Sequence, residues 1–235
     1  MRAILLIAGN FIREQRWAVL AMAVWPFVVI ALVRYDRDPH QDFLFALGQL
    51  YAYAVFLAFF LAASAIHNER KTRRILAVLS KAVERGDYIA GLAIGIWGCV
   101  VIYCTAMAVP GIWLMDALDV SPAGFLLGLG LLIAAALLVG MVVLLFTTFL
   151  PPIFAVAAST VALASPLLLE KFGQVGASKW LPAYALLMAA VKGTQDLAVA
   201  VEAWPMAAVA LGEAVLLWWL ASAVFERRDI AVAIE

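Results

Sequence analysis

Charge is scarce in this chain: 14% of its 235 residues are Asp, Glu, Lys or Arg, against roughly a quarter in a typical soluble domain. Hydrophobic residues make up 67%, where soluble chains stay near about half. A water-soluble fold of this size could not hide so much apolar surface, so lipid is the implied solvent. Sixteen basic residues are matched by sixteen acidic ones. That leaves no basic surplus for a nucleic-acid partner.

Cysteine and histidine are nearly missing too, at two each. Cys99 and Cys104 share one apolar run. Five residues apart on a helix, they point in different directions, so neither a disulfide nor a metal pair is expected. His40 and His67 fall on opposite sides of the expected membrane and cannot share a metal. The chain has no Gly-x-x-x-x-Gly-Lys-Ser/Thr phosphate loop, no Gly-x-Ser-x-Gly and no His-Glu-x-x-His. It is expected to bind no cofactor and to hold no ATPase site of its own. No cleavable leader reads from its first residues. A short apolar run, Ala3 to Ala8, is followed by Asn10, Arg13, Glu14 and Arg16.

What the chain does have is long apolar runs. A crossing needs about 20 mostly apolar residues. Six runs qualify, near 17–33, 43–66, 88–115, 123–150, 153–169 and 203–225. The reading is an all-α polytopic membrane protein, one transmembrane domain over residues 1–235. Orientation follows from Lys and Arg. With the N-terminus inside, the inner segments hold Arg2, Arg13, Arg16, Arg70, Lys71, Arg73, Arg74, Lys81, Arg85, Arg227 and Arg228. The outer ones hold only Arg34, Arg37, Lys171, Lys179 and Lys192. Both termini are therefore expected in the cytoplasm. Trp180 to Val191 is apolar but too short to cross. Within the outer segment 170–202 it reads as a re-entrant or interfacial helix, whose backbone protein or water must cover. Trp17, Trp113, Trp180 and Trp204 mark membrane boundaries, while Trp25, Trp97, Trp218 and Trp219 read as packing residues. Gly91 with Gly95, and Gly124 with Gly128, are spaced for close helix packing within the chain.

Two amphipathic segments lie outside the spans. In residues 1–16, Ile4, Leu5, Ile7, Ala8, Phe11 and Ile12 share one arc, with Arg2, Arg13 and Arg16 opposite. This is the pattern of an interfacial helix with its cations toward lipid phosphates. In residues 67–87, Thr72, Ile75, Leu76, Leu79 and Val83 share a face, with Arg70, Arg73, Arg74, Lys81 and Arg85 on the other. That pattern fits a docking helix and a basic helix on anionic lipid equally well.

Glu213 stands near the middle of the sixth span, between Gly212 and Ala214. A carboxylate there must face protein or a water-filled cavity, or be protonated. It marks either a polar point on a substrate route or an interhelical hydrogen bond, with Gln49, Tyr53, Tyr103 or Thr105 as the partners in reach.

The layout resembles the permease subunits of type-2 ABC transporters, the bacterial export-permease class. An amphipathic helix precedes the first span. After span two the chain shows Glu69, Lys71, Thr72, Ile75, Leu79 and Ser80, similar to that family's Glu–basic–Thr–Ile/Leu–Leu–Ser pattern. Arg85, Tyr88, Ile89 and Gly91 match its Arg-x-x-Tyr-Ile-x-Gly approach to span three. Phe225, Arg227, Arg228 and Asp229 look like its Phe-x-Arg-Arg-Asp tail. The family often has Pro after Leu-Leu-Ser, where this chain has Lys81. The resemblance implies that segment 67–87 is a coupling loop, with Glu69, Arg70, Thr72, Arg73, Arg74 and Ser80 meeting an ATP-binding cassette subunit. ATP and Mg would be used by that partner. It also implies a second permease chain, identical or not, a substrate pathway between the two, export as the direction, and a bacterial inner membrane. Glu213, Gln49 and Thr105 would be the polar positions of the pathway. Two other classes compete. An intramembrane enzyme would need several converging acids, histidines or a nucleophile, and Glu213 is nearly alone. A non-transporting scaffold or assembly subunit could use the same spans.

Overall fold

The computed structural model describes residues 2–34, 39–71, 84–117, 122–172 and 180–227, and their side chains except at 34, 39–42, 68–71 and 117. Among them are eight helices and no strand. They are α1 (Arg2–Glu14), α2 (Arg16–Arg34), α3 (Pro39–Lys71), α4 (Arg85–Ala117), α5 (Pro122–Phe149), α6 (Pro152–Lys171), α7 (Ala183–Gly193) and α8 (Leu197–Arg227). All but α1 and α7 are long and apolar enough to cross a membrane. The chain is an all-α polytopic membrane protein.

Sequence chemistry sets the ends. Helices α3, α5 and α6 each begin on a proline, whose missing N–H and fixed φ suit a first turn. Only Leu150 and Pro151 separate α5 from α6, which makes the two antiparallel neighbours. The sixth span starts at Leu197, earlier than the apolar run at 203 implies. Asp196 explains the difference: its Oδ1 accepts from the Ala198 N–H at 3.0 Å, capping the first turn. Span two likewise runs on to Lys71, so Glu69 and Arg70 lie in the last turn of α3 rather than on a separate helix.

Helix α5 is the axis. It carries no charge and is buried over 72% of its membrane-length stretch, where α2, α6 and α8 reach only 22%, 17% and 28%. A helix apolar all round is a core helix when protein surrounds it. Here α3, α4, α6, α7 and α8 all pack on α5. The peripheral helices turn Leu20, Phe27, Val161, Leu168, Val215 and Leu216 outward, as lipid contact permits. Trp25, Trp97 and Trp219 are also exposed. They are therefore packed only in part, Trp25 through its edge-on contact with Tyr53. Trp218 is the packed one.

Both glycine pairs are filled from within the chain. A Cβ on Gly91 would stand 2.7 Å from Ile7 Cβ and 3.1 Å from the Ile4 carbonyl oxygen, and one on Gly95 would stand 2.9 Å from the Phe11 ring. Gly98 receives Ile12 in the same way. So α1 and α4 run in the same direction, with α1 seated in a groove that glycine keeps open. At the other end of the bundle, a Cβ on Gly124 would fall on the Gly193 carbonyl oxygen, and one on Gly128 would come 2.8 Å from that of Ala190. Short α7 therefore leans antiparallel along the Pro122 end of α5, and its buried Leu186, Ala190 and Gly193 form the contact face. Gly193 in turn abuts Ala200 of α8. Helices α5 and α8 thus cover α7, which an apolar helix too short to cross a bilayer requires.

Candidate functional site

The start of α4 and the end of α8 form a polar junction. Helix α8 ends with backbone carbonyls that lack partners in the helix. Arg85, the first residue of α4, supplies donors: one guanidinium nitrogen donates to the Phe225 oxygen at 3.1 Å and the Glu226 oxygen at 2.7 Å. A cation at a helix C-terminus also meets the negative end of its dipole. One turn on, the Tyr88 ring stacks on Phe225, with centroids 5.9 Å apart and planes 16° from parallel. Trp218 Nε1 donates to the Gly86 oxygen at 3.4 Å. A Cβ on Gly86 would meet Ser222 at 3.7 Å, an ordinary van der Waals contact, so the two helices lie side by side here with room for a small side chain. Two stretches far apart in sequence, Arg85–Tyr88 and Trp218–Glu226, thus make one joint. Helix α1 packs just beyond it, against Gly91 to Gly98.

A second joint closes the other end. The Tyr51 hydroxyl on α3 lies 3.5 Å from Thr194 Oγ1, which donates to the Ala190 oxygen at 3.1 Å. Both residues are buried. Tyr103 of α4 donates to the Leu50 oxygen at 2.9 Å. Tyr51 and Thr194 were not singled out from sequence. Tyr51 is an ordinary tyrosine in an apolar run, and only the fold of α7 reveals its partner.

Glu213 is half-buried beside the alanine face of α8 formed by Ala207, Ala210 and Ala214. Its Oε2 is enclosed and has no hydrogen-bond partner among the described residues. The partners in reach on sequence grounds do not serve it. Gln49 is exposed. Thr105 is exposed and donates to its own helix at Val101 O, 2.8 Å away. Tyr103 is committed to Leu50, and Tyr53 sets its ring edge-on to Trp25. Buried Thr147, Thr148 and Ser159 also turn back to carbonyls of their own helices, a common way to satisfy a hydroxyl in lipid. The structure therefore does not gather Glu213, Gln49 and Thr105 into one polar site.

The backbone of Glu69 and Arg70 is helical, but their side chains, together with all of Thr72, Arg73, Arg74 and Ser80, lie outside the described residues. So does the tail from Arg228. Cys99 and Cys104 are buried free thiols. His40 and His67 stand near opposite ends of α3, 27 positions apart. Among the described residues no three His, Cys, Asp or Glu side chains group to hold a metal.

Comparison with family models, with curated proteins and with solved structures finds no match to this chain.

Proposed function

We propose that this chain is the membrane-spanning permease subunit of an ATP-driven transporter of the type-2 ABC class, acting with a second permease chain and a separate ATP-binding subunit. One observation supports the reading above the others. Two pieces of sequence that carry the resemblance, the Arg85–Tyr88 approach to span three and the Phe225–Glu226 end of span six, make direct contact. Residues that look like scattered family marks form one joint, and it adjoins the segment assigned to coupling. In this reading segment 67–87 meets the ATPase, and nucleotide-driven closure there moves α3 and α4, with α8 carried by the joint. The chain performs no covalent chemistry. Extrusion from the cytoplasmic side or inner leaflet of a bacterial inner membrane is the direction proposed.

Purification of the tagged chain from its native membrane tests this. An ATP-binding subunit is expected to copurify, with ATP turnover that Glu69→Ala, Arg73→Ala and Arg74→Ala reduce about tenfold, a coupling loss on the order of 1.4 kcal/mol. Copurification with other membrane proteins and no ATPase would favour the scaffold role instead.

A further inference from the structure

We infer that the flank of α8 around Glu213 receives a transmembrane helix of a different protein, one that carries a cationic or amide side chain near the middle of the bilayer. Depth comes first. Glu213 stands 16 residues after Leu197 and 14 before Arg227, the two ends of α8. At 1.5 Å per residue it is about 21–24 Å from either end, which puts it at the centre of a hydrocarbon core of about 30 Å. A carboxyl group at that depth has no water to bond to, charged or protonated, and needs a polar neighbour. Its Oε2 has none among the described residues.

Charge comes next. From Leu197 to Glu226 the helix holds Glu202, Glu213 and Glu226 and no Lys or Arg. At about 100° per residue, Glu202 and Glu213 project within about 20° of each other. The flank is therefore acidic from the Leu197 end of α8 to the bilayer centre. Nothing in the chain neutralises it at depth, because Lys, Arg and His stand only at the ends of the six spans. A second copy of this chain would bring another Glu213 to the same depth across a two-fold axis, which repels rather than neutralises. The missing donor thus belongs to another protein. The flank is also open to one. Val209, Gly212 and Leu216, on the outward side of Glu213, are exposed. Gly91, Gly95, Gly124 and Gly128 are each filled by a neighbouring helix, whereas a Cβ on Gly212 would meet nothing within 4 Å. Glycine weakens a helix interior relative to alanine, and in lipid the close approach of a partner backbone offsets that loss. A donor on such a partner would close on the carboxylate through a charge-assisted hydrogen bond. The inference does not rest on the transport reading. Within that reading, it makes the second permease chain a non-identical one.

The full chain, expressed alone and reconstituted in phosphatidylcholine vesicles, is titrated with a polyleucine transmembrane peptide bearing one central arginine, and association is read by energy transfer. Binding is expected about tenfold tighter than that of the all-leucine peptide, the yield of one interhelical polar contact in lipid. Glu213→Leu should abolish this preference, and G212I should block it by filling the approach. G48I should leave it intact, since a Cβ at Gly48 also meets nothing within 4 Å but lies on another helix. Equal affinity for the two peptides, a preference that survives Glu213→Leu or G212I, or an equal loss in G48I would overturn the inference. A photoreactive residue in place of Leu216, in the native membrane, gives an arm independent of the peptide. Adducts are expected with a different membrane protein whose span carries Lys, Arg, His, Asn or Gln near its middle. Adducts with a second copy of this chain, with a span lacking such a residue, or with lipid alone reject it.

Discussion

Arg85 shows how much one side chain can hold. Its two bonds to the last carbonyls of α8 are charge-assisted but partly open to solvent, so about 2 kcal/mol in all is a fair expectation. Arg85→Ala should lower the thermal midpoint in detergent by that equivalent. Arg85→Lys should recover only part, because a point charge cannot reproduce the planar donor set. Glu213 is the opposite case. An enclosed carboxylate oxygen without a partner costs stability. Glu213→Leu should therefore raise stability by about 1 kcal/mol in the same melting assay. Under the proposed function it should also reduce transport, and so should Glu213→Gln if charge is what matters. A destabilised Leu variant would show that the carboxylate has a structural partner after all. Sequence flagged both residues, Arg85 by its place in a motif and Glu213 by its isolation in an apolar run. It could not show that Arg85 reaches across 140 positions, because tertiary hydrogen bonds leave no local pattern.

Among the elements, crossing helices were legible and their neighbours were not. Length and hydropathy located all six spans, because a bilayer imposes a minimum run of apolar residues. The ends drifted where something other than lipid sets them: the Asp196 cap begins α8 early, and α3 continues to Lys71. Helices α1 and α7 were recognised as special from amphipathicity and shortness, but their seats came only with the structure. Glycines at four-residue spacing mark a groove without naming its occupant. Valine at Gly95 should crowd Phe11 and loosen α1, seen as faster amide exchange across residues 2–14 with the spans unaffected. Alanine at Gly124 should cost more, about 1–3 kcal/mol. Its obstacle is the backbone oxygen of Gly193 rather than a movable side chain.

At the scale of the whole molecule, the two joints sort the helix ends. Helix α1, the start of α4 and the end of α8 share one end of the bundle, while Gly193, Ala200 and the start of α5 share the other. By the charge rule, the first end, with its excess of Lys and Arg, is the one expected in the cytoplasm. Reporter fusions at both termini are therefore expected to read cytoplasmic. A cysteine placed at exposed Gln195 should react with an impermeant reagent only from outside, and labelling from inside would invert the bundle. The narrow gap between Gly86 and Ser222 also has a practical side. A Cβ on Gly86 would lie 3.8 Å from that of Ser222, about the mean separation across a natural disulfide. Paired cysteines at these positions, with Cys99 and Cys104 replaced by alanine, should oxidise to a staple without moving the backbone. Transport that survives the staple would mean that α4 and α8 travel as a single rod, whereas arrest relieved by a reducing agent would mean that the working stroke pulls them apart.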